Sequence, residues 1–229
     1  MPQTLTAEAL FRTAYENRYT WDAQFPGYRA TVLLKTGLKS HKGHVKINPD
    51  LSFEVFNITD EAAQRLIKGQ LWEITLHRAR HRFEDTHGDN TFELGETDDT
   101  GAIDVLVGGA ATGNRYKIRD NKVCFVYRQI RDIIVNIDTF NTLETEAGYL
   151  STGYCSVYLN PETGKVTGPK TTFEDTFEKI GGYYLLTRRL IHTEENGLPQ
   201  ITEVQFFNLE TLIVPLKNGY LQSKYPYQN

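Results

Sequence analysis

YYLLTRRLIHTEENGLPQITEVQFFNL, residues 183–209, decides the fold. Over 183–192 and again over 201–209 the side chains alternate with a period of two, and Asn196-Gly197 falls between the runs. Such a dipeptide, whose positions tolerate positive φ, is the strongest short-range signal of a β-hairpin, and strands joined by so short a turn must be antiparallel.

The same pattern extends toward the N-terminus. Residues 116–119 and 123–127 flank Asp120-Asn121, a polar pair suited to a tight turn, and further strand-like runs fall at 28–36, 44–47, 51–56, 133–137 and 149–159, the last followed by a Pro161-Glu162-Thr163-Gly164 turn. These sum to eight to ten strands. No helix separates successive strands in the second half, which excludes parallel βαβ units. Two helices are expected elsewhere. After Thr6, a hydroxyl able to cap, Ala7, Leu10, Phe11, Ala14 and Tyr15 recur on one face of a helix ending near Tyr19. After Thr59, acidic Asp60 and Glu61 suit a helix start, and Ala63, Leu66, Ile67, Leu71 and Ile74 share a face, with a basic tail over 77–82. The expected class is α+β, mainly β: a large curved antiparallel sheet, as a half-barrel or open barrel, covered by two amphipathic helices. No linker or repeat divides the chain, so one domain is expected over 1–229.

Composition narrows the function classes. Of 229 residues 39% are hydrophobic and 12% aromatic, enough for a sizeable core, and the net charge of −4 argues against general attraction to nucleic acid, which needs excess Lys and Arg. The N-terminal residues lack the basic and apolar runs of a secretory signal, and no apolar stretch is long enough to span a bilayer. Cys124 and Cys155 match no zinc spacing and fit reduced, buried thiols. A cytoplasmic location is expected.

Few residues carry chemistry. In the polar stretch 77–89, His77 and His81 lie one helical turn apart, but the interleaved arginines would repel a cation. His77, Arg78, His81 and Arg82 read instead as a helix end complementing its own dipole, or as a basic patch for an acidic partner. The glycines of 108–113 lack a P-loop ending and precede a strand, so a loop is expected there. Adjacent acids such as Glu84-Asp85 lie in polar, loop-like sequence and read as solvated surface. No nucleophile elbow and no set of nucleophile, base and orienting group is visible, so an enzyme has no positive support and no cofactor or metal is expected.

The aromatic content is more informative. Phe125, Tyr127, Tyr154, Tyr158, Tyr184, Leu186, Phe206 and Phe207 alternate along the strands and demand a large apolar face. With two helices to cover it, either the sheet closes on itself or part of the face is left for another molecule. Phe125, Tyr127, Tyr184, Leu186 and Phe206 are the expected lining of a site for an apolar small molecule; the alternative is a protein-interaction or assembly factor.

The segments FPGYRA (25–30), YKIRDNKV (116–123) and GYYLL (182–186), with the strand pair ending FFNL at 209, resemble an uncharacterised cyanobacterial and chloroplast family of unknown function over most of the chain. The order of helix, strands, helix and long meander is also similar to the lipoprotein-carrier superfamily, whose half-barrel sheet and capping helices enclose acyl chains. The resemblance implies an apolar cavity for a lipid, pigment or isoprenoid in a cytosolic or stromal setting, and supplies no catalytic residue. Those carriers are periplasmic, so lipoprotein transport itself does not carry over to a chain without a signal peptide.

Overall fold

Capping and apolar periodicity set the helices of the computed structural model, which describes residues 6–195 and 197–212. Thr6 Oγ1 accepts the Ala9 N–H at 3.1 Å and starts α1 (Ala7–Glu16). The helix stops before Tyr19 because the chain turns to pair with a strand: Tyr19 N–H donates to the Tyr149 carbonyl at 2.8 Å. Asp60 caps α2 (Glu61–Arg78) through the Ala63 N–H at 2.8 Å. The basic tail does not continue this helix, since Ala79 is extended and the Arg78 carbonyl accepts from Trp21 N–H at 2.9 Å. A third, short helix, α3 (Phe83–His87), lies where surface loop was expected, with Glu84 and Asp85 in its first turn and Phe83 and His87 buried on one side.

The strands are β1 (Tyr28–Thr36), β2 (Lys39–Ile47), β3 (Phe53–Phe56), β4 (Asn90–Thr97), β5 (Ile103–Gly109), β6 (Arg115–Arg119), β7 (Lys122–Ile130), β8 (Ile133–Thr145), β9 (Gly148–Leu159), β10 (Thr171–Ile180), β11 (Tyr183–Glu195) and β12 (Leu198–Thr211). They hydrogen-bond in the order β3-β2-β1-β12-β11-β10-β9-β8-β7-β6-β5-β4, an open, mainly antiparallel sheet of twelve strands rather than eight to ten. The additional strands are β4, β5 and β10. In β10 the inward position between Phe173 and Phe177 is Asp175, which breaks the apolar alternation, and β4 offers only Phe92 and Leu94. β5 ends on Gly109, taking in two glycines expected in a loop.

The chain divides into two compact units. The first comprises the chain up to Thr20, His81–Glu174 and Ile191–Gln200; the second comprises Trp21–Arg80, Asp175–Leu190 and the chain from Ile201 on.

In the second unit, Tyr28, Ala30, Val32 and Leu34 alternate along the buried face of β1, with Val45 and Ile47 of β2 and Val204 and Phe206 of β12 beside them. α2 contributes the buried Ala63, Ile67, Leu71 and Ile74. Trp21 and Phe25 stack at 3.9 Å in the segment leading to β1. Gly27 (φ 77°) is required there, because a Cβ would stand 2.4 Å from the Ile47 carbonyl oxygen.

In the first unit, α1 and α3 cover one face of β4–β7. Phe11, Ala14 and Tyr15 of α1 and Phe83 of α3 close on Val105, Val107, Tyr116 and Ile118. Phe11 stacks on Tyr116 at 4.4 Å and meets Phe83 edge-on at 5.8 Å. The expected β6–β7 hairpin is present, with Asp120 (φ 51°) and Asn121 (φ 57°) both left-handed.

Candidate functional site

The register of the first unit traces its helix-covered face beyond the helices. Val105 lies opposite Tyr116, Tyr116 opposite Val126, Val126 opposite Ile137 and Ile137 opposite Ser156. In the next row Arg128 lies opposite Val135 and Val135 opposite Tyr158. Because alternate residues of a strand share a face, both rows belong to the face that α1 and α3 seal over Tyr116. Toward β8 and β9 the seal thins. Val126, Ile137 and Tyr154 are half-buried, Tyr158 is 39% exposed, and Ile130 and Ile133, paired at the end of the face, are 48% and 38% exposed. Tyr154 is itself held by Phe173, stacked on it at 4.7 Å.

Two arginines of this unit carry charge near its aromatic core. Arg18 follows α1; its Nε donates to the Tyr15 carbonyl at 2.9 Å and its guanidinium lies 3.8 Å over the Tyr15 ring. Arg128 stands exposed on β7, two residues from Val126. Both act on the two polar rings in the core beneath. Burial first, and then Arg128 and Arg18, hold the His87 imidazole down to about 4. Burial raises the Tyr116 phenol, and the same two arginines pull it the other way. His87 is therefore neutral, and its tautomer follows from its neighbour. Asn90 Oδ1 accepts the Ala111 N–H at 3.0 Å, so Asn90 Nδ2 faces His87 Nδ1 at 3.2 Å and donates to it, placing the ring proton on Nε2.

The residues expected from sequence to line a cavity are distributed differently. Phe125 and Tyr127 lie on the opposite face of β7, across from Lys117 and Arg115 of β6, with the Arg115 guanidinium 5.6 Å over Phe125. In the second unit, Phe206 is buried opposite Val32, Leu186 is 1% exposed, and the half-buried Tyr184 has the Lys179 ammonium 5.7 Å from its ring. Of the basic residues, Arg78 lies 5.5 Å over Phe177 and Arg82 pairs with Asp85 at 2.6 Å, while His77 and His81 are exposed. Sequence reasoning missed Arg18, Arg128 and Ile137. A signal for Arg128 was present, since it shares the strand parity of Val126 and so stands as a charge on an apolar face.

The family described as "Protein of unknown function (DUF3386)" matches residues 2–212. The chain belongs to this family. No curated protein matches the sequence. Among solved structures, the chain is similar to a LolA superfamily protein from Nitrosomonas europaea, at 12% identity over 93% of this chain and 96% of that one, with a TM-score of 0.36. It is similar to a DUF1329 family protein from Desulfovibrio piger, at 8% identity over 91% and 94% of the two chains (TM-score 0.27). A chain of the MucA/MucB complex of Pseudomonas aeruginosa matches at 9% identity over 87% and 93% (TM-score 0.24).

A second concavity of this family member lies beside the β6–β7 turn. It has a volume of about 130 Å³ and a largely polar lining that includes Arg119, Lys122, Thr139 and Asn141, too small and too polar for a lipid. Cys124, also at its wall, is half-buried; burial pushes its thiol up, and Sγ donates to the Lys117 carbonyl at 3.4 Å. Cys155 is buried, and both cysteines are free.

Proposed function

We propose that the protein binds an apolar small molecule on the helix-side face of β7–β9 in its first unit. One observation carries this reading: the face that α1 and α3 seal over Tyr116 runs on into Val126, Ile137, Tyr154 and Tyr158, apolar side chains left partly open to solvent. Continuous exposed apolar surface costs free energy in proportion to its area, and a bound apolar molecule recovers it.

The test is native mass spectrometry of the protein purified from its own host, with organic extraction of what co-purifies, alongside titration with the neutral apolar dye Nile red. A stoichiometric lipid or pigment, and saturable dye binding weakened about tenfold or more by Ile137→Asp, support the reading; roughly 1.4 kcal/mol per tenfold is what a buried charge there must remove. A clean apo mass with no saturable dye binding overturns it. That outcome moves the assignment to a protein-interaction surface, which one observation favours: Trp72 and Leu76, one turn apart on α2, are 56% and 45% exposed.

A further inference from the structure

The strands of the first unit run antiparallel, so their connections gather at two ends, and the ends differ in chemistry. The β4–β5, β6–β7 and β8–β9 connections share one end and carry Asp98, Asp99, Asp120 and Glu146 without a cation. Residues 110–114, 131–132 and 160–170 share the other, where Arg131, Lys165 and Lys170 outnumber Asp132 and Glu162. Hydrogen bonds and strand pairing join these connections. Asn114 Oδ1 accepts the Gln129 N–H at 2.9 Å and Gln129 Nε2 donates to the Arg131 carbonyl at 3.1 Å, while Leu159 pairs with Ile134 on one side and bridges Val166 on the other. Apolar side chains project from the same end. Ile130 and Ile133 flank the Arg131-Asp132 turn, and both are exposed to solvent, as are Tyr158 and Val166, the last at 59%. The turn is itself costly, since Arg131 takes a φ of 54°, a left-handed conformation that glycine adopts freely.

We infer that this end of the first unit docks on an anionic lipid bilayer, with Ile130 and Ile133 entering the headgroup region and Arg131, Lys165 and Lys170 meeting the lipid phosphates. Exposed apolar side chains among cations suit such a surface, because burial of the first adds to the attraction of the second. The far end keeps its carboxylates away from the bilayer, so the separation of charge along the strands favours one orientation of the unit on approach. A second copy presenting the same end would oppose like charges, which leaves the anionic surface as the occupant that the charges favour. The inference goes beyond the proposed small-molecule site and does not depend on it.

The experiment is flotation of the full-length protein with vesicles of phosphatidylcholine alone, or of phosphatidylcholine and phosphatidylglycerol in equal parts, in low and in high salt. The mixed vesicles should bind the protein about tenfold or more better than phosphatidylcholine alone, and high salt should remove that advantage. Ile130→Ser/Ile133→Ser should weaken binding to the mixed vesicles about tenfold, through lost apolar insertion. Arg131→Gly should weaken it about fivefold, the share of one cation near the surface, while leaving the urea midpoint unchanged or higher because glycine suits the left-handed turn. Loss of docking is thereby separated from loss of fold. Absence of binding to the mixed vesicles overturns the inference, and so does binding that both variants leave intact, which would place the contact elsewhere. A dimer seen by sedimentation velocity without lipid, and dissolved by Ile130→Ser/Ile133→Ser, would assign this end to a second copy and overturn the bilayer. Nile red binding should be unchanged by Arg131→Gly, so failure of docking and failure of the small-molecule site are read separately.

Discussion

Both arms of the Arg189 guanidinium bind the Asp175 carboxylate, Nε to Oδ1 at 2.8 Å and Nη2 to Oδ2 at 2.6 Å, with the side chains only 6% and 2% exposed. The remaining arm, Nη1, donates to Gln70 Oε1 at 2.9 Å and Glu73 Oε2 at 2.8 Å on α2. One buried cation thus ties β10 and β11 to the helix above them within the second unit.

Removing that cation leaves Asp175 buried and uncompensated. Arg189→Met should therefore cost about 3–5 kcal/mol of stability, read from urea unfolding, whereas Arg189→Met/Asp175→Leu should recover most of the loss because no charge remains to be desolvated. A loss below about 1 kcal/mol for the single variant would show that Asp175 finds water or a proton cheaply, and that the pair does not hold α2 in place.

His87 sets a pH dependence with a definite sign. Its folded pKa, about 4, lies below the roughly 6.5 of an unfolded histidine, so the unfolded chain takes up the proton first. The stability from the neutral buried ring is fully present above about pH 6.5 and declines as pH falls toward 4. The decline attributable to this residue should reach about 2–3 kcal/mol. Urea midpoints from pH 7.5 to 4.5, compared with His87→Leu, isolate it, since the carboxylates contribute to both proteins. Parallel slopes in the two would mean that the ring is already solvated in the folded state.

What was legible in the sequence follows from which physical signals act locally. The β6–β7 turn was readable because Asp120 and Asn121 carry their own preference for positive φ, and both adopt it. The start of α1 was readable from the Thr6 hydroxyl, and α2 from its acidic first turn and apolar stripe. β10 was not, because its pattern contains a buried aspartate whose partner, Arg189, lies 14 residues away and whose position makes sense only once the two meet. Nor was α3, a helix too short to show a period, held by burial of Phe83 and His87 under α1. The candidate site has the same non-local origin. Phe125 and Tyr127 advertise themselves as aromatic, yet parity and register place Val126 and Arg128 on the helix-covered face, and neither register nor the arrival of Arg18 is written in any one segment.

Tyr28 provides a test of the second unit's core. Its ring is fully buried, edge-on to Trp21 at 6.2 Å and Phe25 at 6.4 Å, and among the described residues its hydroxyl has no hydrogen-bond partner. Burial raises the phenol far above its ordinary range, so it stays protonated and remains a donor without an acceptor. A buried hydroxyl in that condition costs about 1–3 kcal/mol, while the ring contacts do not depend on the oxygen. Tyr28→Phe should accordingly raise stability by about 1 kcal/mol, less than the full penalty because the vacated space loses some packing. A thermal or urea midpoint that falls instead would mean that the hydroxyl is bonded in solution, with ordered water the first candidate acceptor.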